Sequence, residues 1–321
     1  RTASTDPDRG SWGYAFNALG EMTSQTDANS KTTTFTLDAL SRLTQRVEPE
    51  GAGNITTTWT WGTSAHNTGS NKYIGRVKSQ AISGTGITTY TEAFTNDGLG
   101  RPTQTLITEG ANSYSTDTSY QATTGYVETL TYPTSPVPSG QTGSRLRVRY
   151  SYSLGTPSQI DDVTLATPRT LWKLDAVSDF DAPTQESLSG NVIARSSRYD
   201  SATQRLTAQQ AGTAGAGSSR QNLAYQWDAA GNLLQRRDLN QGLTEAFTYD
   251  GLDRVTNSTL NGSTNLSVSY DASGNVLQKS DIGNYVYGNA SRPHAVMAAG
   301  SEIFTYDRNG NLATRSGLGQ S

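Results

Sequence analysis

Cysteine is absent from the 321 residues, which excludes disulfide staples, thiolate metal sites and a cysteine nucleophile. Histidine occurs only as His66 and His294, so an imidazole-based triad would have to be assembled from one of these two, and no GxSxG elbow accompanies them. No stretch approaches the ~18 apolar residues of a membrane helix. Charge is nearly balanced, 25 Lys and Arg against 28 Asp and Glu, and gives no reason to expect nucleic acid or an anionic membrane as a partner. Hydrophobic residues make up 33%, low for a chain of this length, so burial has to be economical.

What the chain has instead is glycine, 32 residues, and tyrosine, 16, among many Ser, Thr, Asn and Gln. That mixture describes short strands and many turns, and the expected fold is all-β. The opening at Arg1 and the ending GLGQS carry no signal-like stretch. The chain is read as a piece of a longer protein.

A repeat outranks any single motif. FTYDRNGN (304–311), VSYDASGN (268–275) and FTYDGLDR (247–254) align on Tyr-Asp pairs. In order from the C-terminus the pairs are Tyr306-Asp307, Tyr270-Asp271, Tyr249-Asp250, the variant Trp227-Asp228, and Tyr199-Asp200. Weaker copies follow at Leu174-Asp175, Asn96-Asp97, Leu37-Asp38 and Phe16-Asn17. The unit of about 21 residues is two strands and two turns.

The phrase YDxxGN explains itself as hairpin chemistry. Aspartate accepts a backbone N–H two residues on, and glycine at Gly231, Gly274 and Gly310 supplies a left-handed residue. Asp253 and Ser41 take that place less comfortably. The return turn is visible at Asn261-Gly262, which predicts a turn at 250–253, a strand at 254–260, a turn at 261–262 and a strand at 263–270. Alternation puts Phe247 and Tyr249 on one face and Thr248 on the other. Side-by-side hairpins would then stack Tyr on Tyr, with cross-strand pairs contributing roughly 0.2–1 kcal/mol each and stability coming from neighbours.

These residues resemble the YD-repeat, or rearrangement-hot-spot (RHS), family of bacterial polymorphic toxins, the C components of insecticidal toxin complexes, and teneurin shells. YGNASRPHAVMAAGSEIFTYDRNGN (287–311) is similar to the segment such proteins carry late in their arrays. The resemblance implies an array of antiparallel β-hairpins forming a curved, spiralling sheet, part of a hollow β-shell around a toxin-like cargo. It also implies a secreted or cell-surface bacterial setting. The proline- and aspartate-rich core motif that closes such shells has no counterpart here, and nothing after Leu312 is long enough to be cargo. The chain is expected to be wall without contents, with the rest of its parent chain or a cargo polypeptide as partner and exposed sheet edges available for self-association.

Along a single array, 1–110 reads as degenerate repeats, 111–190 as irregular and 191–321 as regular repeats. A proline-rich surface loop is expected at 132–143, a further irregular stretch at 154–170, and a flexible break at QQAGTAGAGSS (209–219). The insertion near SAHNTGSNKY (64–73) interrupts the first part. No helix is expected.

Candidate chemistry is sparse. RLRVRY (145–150) would project Arg145, Arg147 and Arg149 from one strand face, a candidate partner surface for acidic groups; the plainer reading is a solvated face guarding an edge. DRNGN and DASGN resemble the start of a calcium loop, but the twelfth positions are Leu318 and Ile282 where a bidentate Glu would be needed. The alternations WTW (59–61) and YVY (285–287) are candidate stacking platforms for a glycan, or a ladder between hairpins. The expectation is a structural protein with no catalytic residue, cofactor or metal, and with an adhesive or filament-forming ribbon as the alternative.

Overall fold

The computed structural model describes the chain apart from residues 52, 70, 135–142, 214–215, 289–291 and 318–321. It is all-β. Among the described residues the helical content is one three-residue 3₁₀ turn, Ser64–His66, and every strand pairing that joins consecutive strands is antiparallel. The repeat unit read from the sequence appears as the strands Leu243–Tyr249, Val255–Leu260 and Ser263–Tyr270. Phe247 faces Ser258 and Ser258 faces Leu266 across the two pairings.

The chain divides into two compact units. The first comprises Arg1–Arg149 with Ala290–Pro293 and Thr305–Ala313; the second comprises Tyr150–Asn289 with His294–Phe304 and the remaining C-terminal residues. In the first, the meander Met22–Thr26, Thr32–Leu37, Leu43–Glu50, Gly53–Trp61, Val77–Gly84, Tyr90–Asn96, Pro102–Glu109 and Asn112–Tyr120 runs hairpin after hairpin. The 64–73 insertion folds back, with the Lys72 N–H donating to the Asp97 carbonyl at 3.1 Å and the fully buried Asn96 amide donating to the Lys72 carbonyl at 3.2 Å. His66 serves this excursion, its Nδ1 accepting the Thr63 N–H at 3.1 Å.

Several stretches read as irregular are strands. Residues 154–170 supply Thr156–Asp162 and the start of Arg169–Val177; pairing between them begins at Gln159, past Pro157, so this pairing does not call on the missing N–H. The break expected at 209–219 is largely strand, Leu206–Thr213 against Ala216–Trp227, with Ala211 opposite Gln221. Small residues there read as flexible because most of their pairing is supplied by backbone, helped by the Gln210 amide donating to Asn222 Oδ1 at 3.1 Å. Most of the proline-rich loop, 135–142, lies outside the described residues. Its first residues close the strand Val127–Thr134, where the register slips between Thr131 and Thr134 and accommodates Pro133 in a bulge. Leu174-Asp175, aligned above as a weak turn copy, lies inside the strand Arg169–Val177; the reversal comes four residues later, where the Asp181 N–H donates to the Ser178 carbonyl at 3.0 Å.

Burial is indeed economical. Among the described residues the buried apolar side chains are Tyr73, Val148, Val163 and Ala299, beside buried polar groups such as Asp161 and Glu186. Both carboxylates are satisfied: Asp161 accepts from Gln159 at 2.7 Å and Thr170 at 3.0 Å, and Glu186 accepts from the Trp172 indole at 2.8 Å and from Arg195 at 2.6 Å. Most strand side chains stay half-covered, so hydrogen bonding between hairpins carries more of the specificity than a packed core does.

Candidate functional site

The recurrent feature is the turn itself. At Asp250 the carboxylate Oδ1 accepts the N–H groups of Leu252 at 2.9 Å and Arg254 at 3.1 Å, while the Asp250 N–H donates to the Arg254 carbonyl at 2.9 Å. Asp271 does the same with Ser273 and Asn275, and Asp307 with Asn309 and Asn311. Asp228 accepts from Gly231 and Asn232. Asp200 closes a longer turn, its N–H donating to the Arg205 carbonyl. In the four-residue turns the fourth residue is left-handed, with φ of 107° at Gly231, 92° at Gly274, 82° at Gly310, 59° at Asp253 and 62° at Ser41, and in the longer Asp200 turn the fifth, Gln204, takes that place with φ of 60°. Asp and Ser tolerate that region at a modest cost where a β-branched side chain would not.

The second carboxylate oxygen has its own partner, the residue four positions on. At Asp38, Asp97 and Asp250 that partner is the guanidinium of Arg42, Arg101 or Arg254; at Asp228, Asp271 and Asp307 it is the amide of Asn232, Asn275 or Asn311. The Arg254 guanidinium, helped by backbone N–H groups and opposed by burial, holds the Asp250 carboxyl below its ordinary range. At Asp271 burial pushes upward, but the Asn275 N–H and amide with the Ser273 and Gly274 N–H groups outweigh it, and the carboxyl is again lowered.

Each arginine also reaches sideways. Arg254 lies 4.4 Å from the centroid of the Tyr270 ring and donates to the Asp271 carbonyl at 3.3 Å. Arg101 lies 4.2 Å from the Tyr120 ring and donates to the Gly125 carbonyl at 3.3 Å, and Arg42 lies 5.0 Å from the Trp61 ring. Arg205 donates to the Asp228 carbonyl, and Arg292 to the Asp307 carbonyl at 2.6 Å.

The aromatic residue answers from the other side. The Tyr270 hydroxyl donates to the Val255 carbonyl at 2.9 Å, Tyr249 to Leu233 at 2.8 Å, Tyr199 to Pro183 at 3.2 Å and Tyr120 to Pro102 at 2.7 Å. The indoles of Trp227 and Trp61 do the same to Leu206 and Leu43 at 2.7 and 2.8 Å. A Tyr-Asp pair therefore joins two functions: aspartate closes its own turn, and tyrosine ties that turn to the one before. Burial, with the nearby Asp228 charge, pushes the Tyr249 phenol up, so it stays a donor at neutral pH.

This chemistry is mechanical. The pattern of the teneurin YD-shell family matches residues 144–315, more than half of the chain. The chain belongs to the teneurin YD-shell family. The pattern of the RHS repeat matches residues 16–52 of this YD-shell chain. The crystal structure of TcdB2-TccC3-Cdc42 contains a chain of similar fold, with a TM-score of 0.68 and 16% identity over 99% of this chain and 19% of that one. Those of TcdB2-TccC3-TEV and TcdB2-TccC3 give TM-scores of 0.55, with 18% and 17% identity over 98% and 99% of this chain. This YD-shell chain spans less than a fifth of the length of the chains it matches. No curated protein matches it.

The other candidate residues fall out differently. Tyr306-Asp307 sits at the end of the strand Glu302–Tyr306 and at the turn that follows. The three arginines of RLRVRY are not equivalent. Arg145 is occupied, paired with Asp117 and donating to the carbonyls of Tyr132 and Ser115 at 2.9 and 2.6 Å, while Arg147 and Arg149 are exposed on either side of the buried Val148. Trp61 of the WTW stretch is a turn anchor, and Trp59 donates to Gln80 at 3.1 Å. Sequence reasoning missed the sideways arginines. The signal was there, since Arg42, Arg101 and Arg254 each stand four residues after an Asp.

Proposed function

We propose that this chain is a section of wall from a secreted or cell-surface YD-repeat shell, which encapsulates or presents a toxin-like cargo polypeptide belonging to the same parent protein and does no chemistry itself. The observation that carries this reading is the sideways fastening of consecutive turns by arginine and tyrosine, which makes a fabric of hairpins rather than a packed globule. Burial within the strands supports it: most strand side chains among the described residues stay half-covered and few are buried, as expected of a wall of hairpins rather than a packed core.

The test is protease protection of the segment that follows the repeats in the parent protein. That segment should survive digestion in the intact parent and be lost when Arg254→Ala and Tyr270→Ala are introduced. Equal sensitivity in both would remove the shell reading.

A second reading, an adhesive or filament-forming ribbon, is favoured by apolar turn tips. Leu19, Leu40, Leu99 and Leu252 occupy the same third turn position and are 82%, 71%, 74% and 70% exposed. It predicts concentration-dependent association of this chain in sedimentation, abolished by replacing the four leucines with serine.

A further inference from the structure

Within the first compact unit, two turns nearly 280 residues apart meet. The turn at 27–31 has the sequence DANSK and the turn at 307–311 has DRNGN. Each places an asparagine at its third position, and each asparagine reaches the aspartate that opens the other turn. Asn29 Nδ2 donates to Asp307 Oδ2 at 2.9 Å, and Asn309 Nδ2 donates to Asp27 Oδ2 at 2.6 Å. The amide oxygens are used too. Asn309 Oδ1 accepts the Asn29 N–H at 3.2 Å, and Asn29 Oδ1 accepts the Arg308 N–H at 3.1 Å. Meanwhile the Oδ1 of each aspartate keeps its own turn closed, accepting from Lys31 at 2.7 Å and from Asn311 at 2.9 Å.

The approach is close on both sides. A Cβ at Gly10 would lie 2.7 Å from the Arg308 carbonyl oxygen, and one at Gly310 would lie 2.3 Å from the Asp8 carbonyl oxygen. Glycine at these two places is therefore required by contact as well as by their φ of 73° and 82°.

We propose that an Asp-x-Asn turn is a recognition element by which one repeat turn docks on another distant in sequence, with Asn29 and Asn309 as the side chains that set the pairing. A carboxamide is suited to this because it donates and accepts at once, so two copies exchange four hydrogen bonds in near-twofold fashion. The equivalent third positions of other turns include Leu19, Leu40, Leu99, Leu252, Ala230 and Ser273; the apolar side chains neither donate nor accept, and the serine hydroxyl, with one hydrogen on a short stem, lacks the reach and the second donor of a carboxamide. The surface formed by Asp8, Gly10, Asp27 and Asn29 thus has a partner of stated chemistry, a D-x-N-G turn. This stands whether or not the wall encloses a cargo.

Amide hydrogen exchange on the full chain tests it, because the docked N–H groups lie on the opposite partner from each substitution. Asn309→Ser leaves a turn sequence already accommodated at 271–275, and Asn29→Leu leaves one accommodated at 38–42. Asn309→Ser should accelerate exchange at the Asn29 amide, and Asn29→Leu at the Arg308 amide, by roughly fivefold to tenfold, the loss of one net hydrogen bond. The Asn311 amide, which serves its own turn, should not change. A second measurement uses the absence of native cysteine: Ala28→Cys with Arg308→Cys should be joined within one chain by a short bismaleimide, and adding Asn29→Leu and Asn309→Ser should suppress that product. Unchanged exchange at Asn29 and Arg308, or an unchanged cross-link yield in the quadruple variant, would overturn the proposal.

Discussion

Arg254 and Tyr270 are held face to face, the guanidinium 4.4 Å from the ring centroid, while the same tyrosine donates its hydroxyl to the Val255 carbonyl next to that arginine. One side chain thus grips the neighbouring turn and is gripped by it. Because Arg254 also binds Asp250, the aspartate, arginine and tyrosine of two successive units form one chain of contacts.

That arrangement separates hydroxyl from ring. Tyr270→Phe keeps the cation–π contact and loses one hydrogen bond, and should cost about 0.5–1.5 kcal/mol in denaturant unfolding. Tyr270→Leu loses both and should cost more than Tyr270→Phe does. Equal costs would mean that the stacking contributes nothing.

The glycines of the turns divide by surroundings. Gly274 has φ of 92° with nothing within 4 Å of an added Cβ, so Gly274→Val should lose only the backbone penalty, ~1–2 kcal/mol. Gly310→Val meets the Asp8 carbonyl as well and should lower the melting temperature further than Gly274→Val. Gly274→Asn should be nearly silent and Gly310→Asn should not, because asparagine relieves the φ cost but not the contact.

Acid should loosen the turns. Asp38, Asp97, Asp200, Asp228, Asp250, Asp271 and Asp307 all have carboxyls held below the ordinary value in the folded chain. A depressed folded value means the stabilisation is fully present above the unfolded carboxyl range near pH 4, and is lost as pH falls through the lower folded values. Melting temperature should hold steady from pH 7 to about pH 5 and fall below about pH 4. Asp271→Asn should flatten that fall.

Arg145 should be structural. Its fork serves Asp117 and the carbonyls of Ser115 and Tyr132 together, so Arg145→Lys, which keeps the charge, should lower the melting temperature nearly as much as Arg145→Ala. Full rescue by lysine would show that charge alone matters there.

The local half of this architecture is legible in the sequence. An Asp that caps N–H groups two and four residues on, as at Asp271, and a left-handed residue, as at Gly274, are events inside five residues, and the alternation of Phe247 and Tyr249 follows from the pleat. The sideways half is harder to read. Tyr270 finds its acceptor at Val255, 15 residues back, and a backbone carbonyl has no sequence signature. Gln121 opens a turn without an Asp, its N–H donating to the Tyr126 carbonyl, and so escapes a search on Tyr-Asp pairs. Asn29 and Asp307 are 278 residues apart, beyond any local periodicity. Strands at 156–162 and 216–227 were obscured because proline and small residues weaken propensity while backbone pairing to neighbours overrides it.

Residue-resolved hydrogen exchange on Arg254→Ala tests most directly whether the hairpins depend on their neighbours. Removing that one side chain should accelerate exchange in the strands Leu243–Tyr249, Val255–Leu260 and Ser263–Tyr270, with the effect fading towards Leu206–Thr213, as nearest-neighbour coupling requires. Acceleration spread evenly over the described chain, or confined to the turn at 250–254, would contradict the account.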